Sequence, residues 1–357
     1  MRQVVKIIVA NGILVVAVLV AAELIFGGWL WGLDYSVLNI PRNTVRHFDV
    51  SQLYPRDRPI TYTRDRHGLR GAYASPEAID ILVMGGSTAN EIYVSDGETW
   101  VDQLRQAFAE AGRPLVIVNA AIDGQSTVGH LRAIDLWFPN IPGLKTRYVL
   151  VYVGINDMAV TEKIVTQYDE MKSPEPLRRF RHYLMNNSVF YNRFRQLRGA
   201  FVAQRMRLVH GARDTIHMAW QPVSDFVDDA TRAYTLEPRL EAYAGRLRAL
   251  AGKIKGKMRA EPVFVTQKRG DYKFMDGKLW ARTEKGAAAP SDESYRSLAH
   301  FNRTTLRVCV ELKLVCVDLA GGITFEEGDF YDQLHTTPAG SRRIGRFLYR
   351  RLEPAIR

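Results

Sequence analysis

The chain has 357 residues, 46% of them hydrophobic, with 49 Lys plus Arg against 38 Asp plus Glu, a formal charge of +11. That length suits one large α/β domain or two small ones, and the positive balance points to anionic surroundings: nucleic acid, acidic lipid headgroups or an acidic polysaccharide. No zinc-finger spacing or RNA-binding aromatic signature occurs, which sets nucleic acid aside, and two cysteines, Cys309 and Cys316, are too few for a disulfide framework and form no CxxC knuckle. The pair reads as two small buried hydrophobes, with bonding open if the domain lies outside the cytoplasm.

Residues 7–22, IIVANGILVVAVLVAA, follow Arg2 and Lys6. From Val4 to Phe26 a helix would run roughly 35 Å, enough to cross a bilayer core. Lys6 can snorkel to the inner face, while Trp29 and Trp31 suit the outer interface. The basic N-terminus favours a cytoplasmic start, leaving the bulk of the chain outside. Val20-Ala21-Ala22 would serve as a signal cleavage site, but the apolar stretch resumes beyond Glu23, so an uncleaved anchor over 1–28 is the preferred reading.

Residues 34–78 are polar, with four prolines and no sustained period, and 29–78 reads as a linker or edge segment that packs loosely. Alternation then begins. Strands are expected at 79–85, 114–122, 147–154, 262–267 and 314–319, and helices at 98–112, 126–138, 233–257, 291–312 and 338–352. Strand alternating with helix implies a three-layer αβα sandwich around a parallel, flavodoxin-like sheet in a domain over 79–357. The alternation breaks at about 160–230, a helical insertion. Residues 172–213 carry ten Lys or Arg and one acid, Glu175, with Phe180, Tyr183, Phe190, Tyr191 and Phe194 interleaved. This is either a solvated cap or a contact with anionic lipid or polysaccharide.

Parallel α/β sheets place ligands at the carboxyl ends of their strands. There stand Gly85-Gly86-Ser87, then Asn119 to Gly124, then Gly154-Ile155-Asn156-Asp157, and, before the last helix, Asp332-Gln333-Leu334-His335. A serine hydroxyl needs a base within hydrogen-bond reach, and His335 can supply it, oriented by Asp332. The amides of Ser87 and Gly124 and the side chain of Asn156 are available as oxyanion donors. Ser87 as a plain helix N-cap is the competing reading. Asp157 reads as a cap or brace, Asp123 as a loop former or substrate contact, and Gln267 and Lys268 as possible substrate contacts. His130, His182, His210 and His300 have no partner pattern, and no metal-ligand spacing is present.

This set resembles the SGNH hydrolases, also called GDSL-like esterases, whose Ser, Gly, Asn and His lie in four separated blocks. Here the blocks are Ser87 in GGSTA, Gly124 in NAAIDG, Asn156 in GIND and His335 in DQLH, over residues 79–353 without the basic insertion. Gly86 stands where the family often has Asp, and HGLRG (67–71) with the N-terminal anchor is similar to membrane-bound, extracytoplasmic members. The resemblance implies a serine esterase that needs no cofactor. Position and charge suggest O-acyl groups on a cell-surface polysaccharide, with lipid esters also permitted. The alternatives are an O-acyltransferase with the same site, and a non-catalytic polysaccharide-assembly or membrane-surface protein on the same fold. The expected location is a single-pass membrane protein with a periplasmic catalytic domain.

Overall fold

The structure, a computed structural model, describes residues 2–30, 38, 40–170, 176–191, 193–194, 197–198, 218–224, 229–284 and 291–356. The chain divides into two compact units, Met1–Asn39 with Asp169–Gly211, and Ile40–Tyr168 with Ala212–Arg357.

In the first unit, helix α1 (Arg2–Phe26) buries none of its residues, and its best 18-residue window has a mean hydropathy of 2.7. It is long and apolar enough to cross a membrane; a signal sequence has the same character.

The second unit begins with a two-stranded antiparallel sheet, β1 (Thr44–Phe48) and β2 (Ile60–Arg64). Where a loose edge segment was expected, Arg64, His67 and Arg70 are buried. The two arginines are drawn inward by carbonyl acceptors on the neighbouring loops, which satisfy guanidinium groups that would otherwise stay in water.

Next come β3 (Ile81–Gly85), the single turn α2 (Ser87–Asn90), α3 (Trp100–Glu110), β4 (Ile117–Asn119), α4 (Thr127–Arg132) and β5 (Tyr148–Tyr152). Helices α5 (Glu162–Glu170) and α6 (Pro176–Asn187) open the insertion, and β6 (Met218–Pro222), α7 (Asp229–Lys253) and β7 (Glu261–Val265) follow. The chain ends with β8 (Tyr272–Met275), β9 (Lys278–Glu284), α8 (Glu293–Leu312), β10 (Val315–Val317), α9 (Leu319–Gly322) and α10 (Pro338–Leu352).

Strands β3, β4, β5, β7 and β10 form one parallel sheet in the order β10-β7-β5-β3-β4. Taken by their sequence rank this is 2-1-3-4-5, the flavodoxin-like order. Apolar runs such as ILVMG are buried on both faces, as a sheet covered on both sides requires. Ile81, Val83, Leu150 and Val263 pack with Trp100, Leu104 and Phe108 of α3 and with Ile344 and Leu348 of α10. Between α7 and α8 the rings of Tyr243 and Phe301 lie 5.0 Å apart. The register sets Gly85 opposite Tyr152 and Tyr152 opposite Val265, so the chain leaves β3, β5 and β7 along one edge.

Two features depart from expectation. The insertion is not wholly helical: β6 pairs antiparallel with β9, which pairs with β8, in a separate three-stranded sheet. Its strands are short and mixed in polarity, so no period announces them. Second, Cys309 and Cys316 are joined in a disulfide rather than being two free buried hydrophobes. The spacing of seven lets the end of α8 fold back onto β10, where Cys316 lies beside Phe264 of β7.

Candidate active site

Gly85 at the end of β3 and Gly86 after it turn the chain into α2, and Gly86, not Ser87, takes the N-cap position. The Ser87 hydroxyl is therefore free for another partner. Its Oγ lies 2.8 Å from His335 Nε2, and His335 Nδ1 lies 2.7 Å from Asp332 Oδ2. Asp332 Oδ1 also accepts the backbone N–H groups of Leu334 and His335, each at 2.7 Å. These bonds fold the Asp-x-x-His loop into a fixed turn, and the His335 ring stacks on Tyr331 at 5.7 Å. An acceptor at Nδ1 puts the ring proton there and leaves Nε2 to accept from serine. Burial alone would raise the Asp332 carboxyl; the bonds from His335 and the loop amides outweigh it and hold the group below the usual carboxylate range.

Asn156 follows β5. Its Nδ2 donates to the Gln125 carbonyl at 2.9 Å, which ties the loop after β5 to the loop after β4. The same amide lies so close to Gly86 that a Cβ there would stand 2.0 Å from Nδ2. Gly86 is thus the residue that lets Asn156 approach the serine turn. Gly124 has φ +74°, a conformation suited to glycine, and the space where its side chain would project is open. Ser87, Gly124, Asn156, Asp332 and His335 are accordingly all at this edge, the first, fourth and fifth joined by hydrogen bonds.

Several supporting residues carry no signal in the sequence. Arg64 donates to the Gly68 carbonyl at 2.7 Å and also to Asn90 Oδ1 and the Ala121 carbonyl. Asn90 in turn donates to Asp123 at 2.7 Å, which gives Asp123 a loop-forming contact. Arg70 donates to the carbonyls of Glu91 and Val94 and pairs with Asp96 at 2.7 Å. HGLRG, which contains Arg70, was the one visible trace of this layer.

Glu91 caps α2 with left-handed backbone, φ 49°, its N–H donating to the Ser87 carbonyl. Its carboxylate accepts from the Trp100 amide at 2.7 Å, from Thr336 Oγ1 at 2.7 Å and from Ser341 Oγ. Burial pushes this carboxyl up to about 7, against the pull of those hydrogen bonds.

Gln267, after β7, donates from Nε2 to Thr88 Oγ1 at 2.8 Å and accepts the Ile155 amide on Oε1 at 2.7 Å. Lys268 donates to the Ile323 carbonyl at 2.7 Å and lines a cavity with Gln267. Asp157 is buried and accepts from the Thr127 amide and hydroxyl and from Arg246 at 3.2 Å, a brace as expected. His130 is buried against Gln125 Oε1 at 3.2 Å, which pushes its imidazole down to about 3. The His300 imidazole accepts from Arg303. The His182 side chain and all of His210 lie outside the described residues. Among the described residues no three His, Cys, Asp or Glu side chains converge as metal ligands would.

A serine hydroxyl on an imidazole, with amide donors beside it, is an arrangement able to attack a carbonyl and to stabilise the oxyanion that results. No curated protein matches the chain. Among solved structures it is similar to the acetylxylan esterase Axe2 of Geobacillus stearothermophilus, at 14% identity over 77% of this chain and 96% of that one, with a TM-score of 0.42. It is also similar to the lipase/acylhydrolase of Enterococcus faecalis, at 14% identity over 78% and 98%, with a TM-score of 0.41. A model of the GDSL-like lipase/acylhydrolase family matches residues 83–343, a stretch that opens in β3, closes in α10 and takes in every residue of the array. The chain therefore belongs to the GDSL-like lipase/acylhydrolase family and is a hydrolase of ester bonds.

Proposed function

We propose that Ser87 is the nucleophile of this hydrolase, His335 its general base and Asp332 the group that orients the imidazole. The observation that carries the reading is the continuous chain from Ser87 Oγ through His335 to Asp332, at 2.8 and 2.7 Å. Ser87 attacks the ester carbonyl as His335 takes its proton. The Ser87 and Gly124 amides and Asn156 Nδ2 receive the oxyanion. His335 then protonates the departing alkoxide, and water, activated by the same imidazole, releases the acid from the acyl-enzyme.

The substrate we infer is an O-acylated polysaccharide at the cell surface. A cavity of about 560 Å³ is lined by Gln267 together with Trp220, Tyr272, Phe274 and Phe330, with Lys273 over the Trp220 ring at 4.0 Å. Flat aromatic faces suit the C–H faces of sugar rings, and the polar groups among them suit hydroxyls. An extracytoplasmic position, with α1 as a single span and the N-terminus inside, is supported by Arg2 and Lys6 in the first turns of α1 and by the Cys309–Cys316 disulfide, a bond that persists in oxidising compartments.

The test is hydrolysis of a short-chain p-nitrophenyl ester by the full chain in detergent, wild type against Ser87→Ala. A loss of about 10³-fold or more with an unchanged melting temperature is expected. Equal rates in the two proteins would remove Ser87 from the mechanism.

A further inference from the structure

The carboxylate of Glu23, near the carboxyl end of α1, accepts four hydrogen bonds. They come from Trp29 Nε1 at 2.8 Å, Ser188 Oγ at 2.6 Å, and the amides of Val189 and Phe190 at 3.0 and 3.1 Å. The Gly28 amide donates to the Asn187 carbonyl at 2.7 Å, and the Trp29 and Tyr183 rings meet edge to face at 5.5 Å. The end of α6 and the residues after it are therefore built onto the end of α1. Glu23 is a lone acid in an apolar run, and these bonds give it partners.

This fixes a depth. Glu23 lies nine residues beyond the middle of α1, about 14 Å along the axis, which is close to half the thickness of a bilayer core. With α1 spanning a bilayer and centred in it, what is bonded to Glu23 sits at the lipid–water boundary. The segment there is unlike a solvated cap. Leu177 is 78% exposed, Phe180 58%, Phe194 63% and Leu197 72%. Residues 176–198 also carry six arginines and no acid. Large apolar side chains left open among cations are what an interfacial segment presents to an acidic leaflet.

We propose that α6 and the residues that follow it on Glu23, with Phe194 and Leu197, form a membrane-surface platform that inserts Phe180, Phe194 and their apolar neighbours among anionic phospholipids, with Arg181 and Arg198 on the headgroups. The proposal rests on α1 spanning the membrane. Continuity with the end of α1 and the charge of the segment both select a lipid leaflet over a soluble polyanion as the occupant.

The test uses the full chain in lipid nanodiscs of phosphatidylcholine, with or without about one-third phosphatidylglycerol. Tryptic cleavage at the arginines of 176–198 is followed by mass spectrometry. Cleavage about tenfold slower with phosphatidylglycerol, restored by about 0.5 M salt and in the Phe180→Ser, Phe194→Ser double variant, is the expected result. That variant keeps its esterase activity, which shows the chain is folded. Equal cleavage in both lipids overturns the proposal, as does protection that appears only when a soluble anionic polysaccharide is added. Alkaline extraction of cell membranes separates the two layers of the argument. A chain that resists extraction but shows equal cleavage refutes the platform alone, whereas a chain that is extracted refutes the anchor and the platform together.

Discussion

Glu91 and Thr336 meet behind the serine: the Thr336 hydroxyl donates to Glu91 Oε1 at 2.7 Å, one residue past His335. Glu91 also holds the end of the α2 turn through its own N–H to Ser87. One buried carboxylate thus ties the loop that bears the proposed nucleophile to the loop that bears the proposed base.

Its titration gives a prediction with a definite sign. Burial raises the folded-state value from 4.5 to about 7. Between those values the folded chain holds a proton that the unfolded chain has released, so stability falls as pH rises through this window. The full penalty, on the order of 3 kcal/mol, is present above pH 7. Glu91→Gln keeps the shape of the protonated acid and removes the ionisation. We expect its urea midpoint to vary much less between pH 4.5 and 7.5 than that of the wild type, and to exceed the wild-type value at the upper end. Parallel curves for the two proteins would show that Glu91 does not titrate in this range.

Gly86 supplies the second prediction. A Cβ at this position meets the Asn156 amide at 2.0 Å, and the next nearest atom, the Gln125 carbonyl oxygen, at 3.1 Å. The cheapest relief is for the Asn156 side chain to swing away, which costs little stability because it is the far end of a short flexible chain. It removes one proposed oxyanion donor, however, and such a loss lowers kcat about 10²–10³-fold. Gly86→Ala should therefore melt within a few degrees of wild type yet lose activity by about that factor. A variant with full activity would mean that Asn156 is not needed where the structure places it.

The parallel sheet and the carboxyl edge were legible because their signals are local. Apolar runs of strand length end in glycine or a short polar residue, and four such ends share an edge once the sheet is parallel. The Asp332 and His335 pair was legible because both residues lie on one loop. Glu91 was not, since a lone acid after STAN acquires meaning only when Thr336 and Ser341, some 250 positions later, close over it. Arg64 and Arg70 were poorly legible in a proline-rich stretch, because most of their acceptors are backbone carbonyls that any sequence supplies. The sheet of β6, β8 and β9 is a matter of long-range pairing, which a period cannot reveal. The Cys309–Cys316 bond needed the turn between α8 and β10 to bring its two Cα atoms to 6.2 Å.

That disulfide gives a third prediction. It closes a loop with a sequence separation of only seven, for which chain entropy gives about 2 kcal/mol of stabilisation. It staples the end of α8 to β10, the outer strand separated by β7 and β5 from the β3 strand that leads to Ser87. The Cys309→Ser, Cys316→Ser double variant should unfold at lower urea by an amount matching that figure, with esterase activity retained below its transition. Native, unreduced protein should take up no thiol reagent. Rapid labelling of both cysteines would show that the bond is not formed in the folded chain.

Gln267 is the last case, and it separates positioning from substrate contact. Its side chain joins Thr88, next to Ser87, to the Ile155 amide, next to Asn156, and its backbone is locked by Asn302 through bonds of 2.8 and 3.2 Å. It also lines the aromatic cavity. Gln267→Leu leaves the buried Ile155 N–H without an acceptor, a cost of about 1–3 kcal/mol that the loop relieves by moving. Because that movement shifts Asn156 relative to Ser87, kcat should fall roughly tenfold or more while KM changes little. Gln267→Glu keeps an acceptor for Ile155 and can take a hydrogen bond from the Thr88 hydroxyl, so it should recover part of kcat. If KM rises instead and kcat holds, the glutamine acts on substrate in the cavity rather than on the geometry of the serine and asparagine loops.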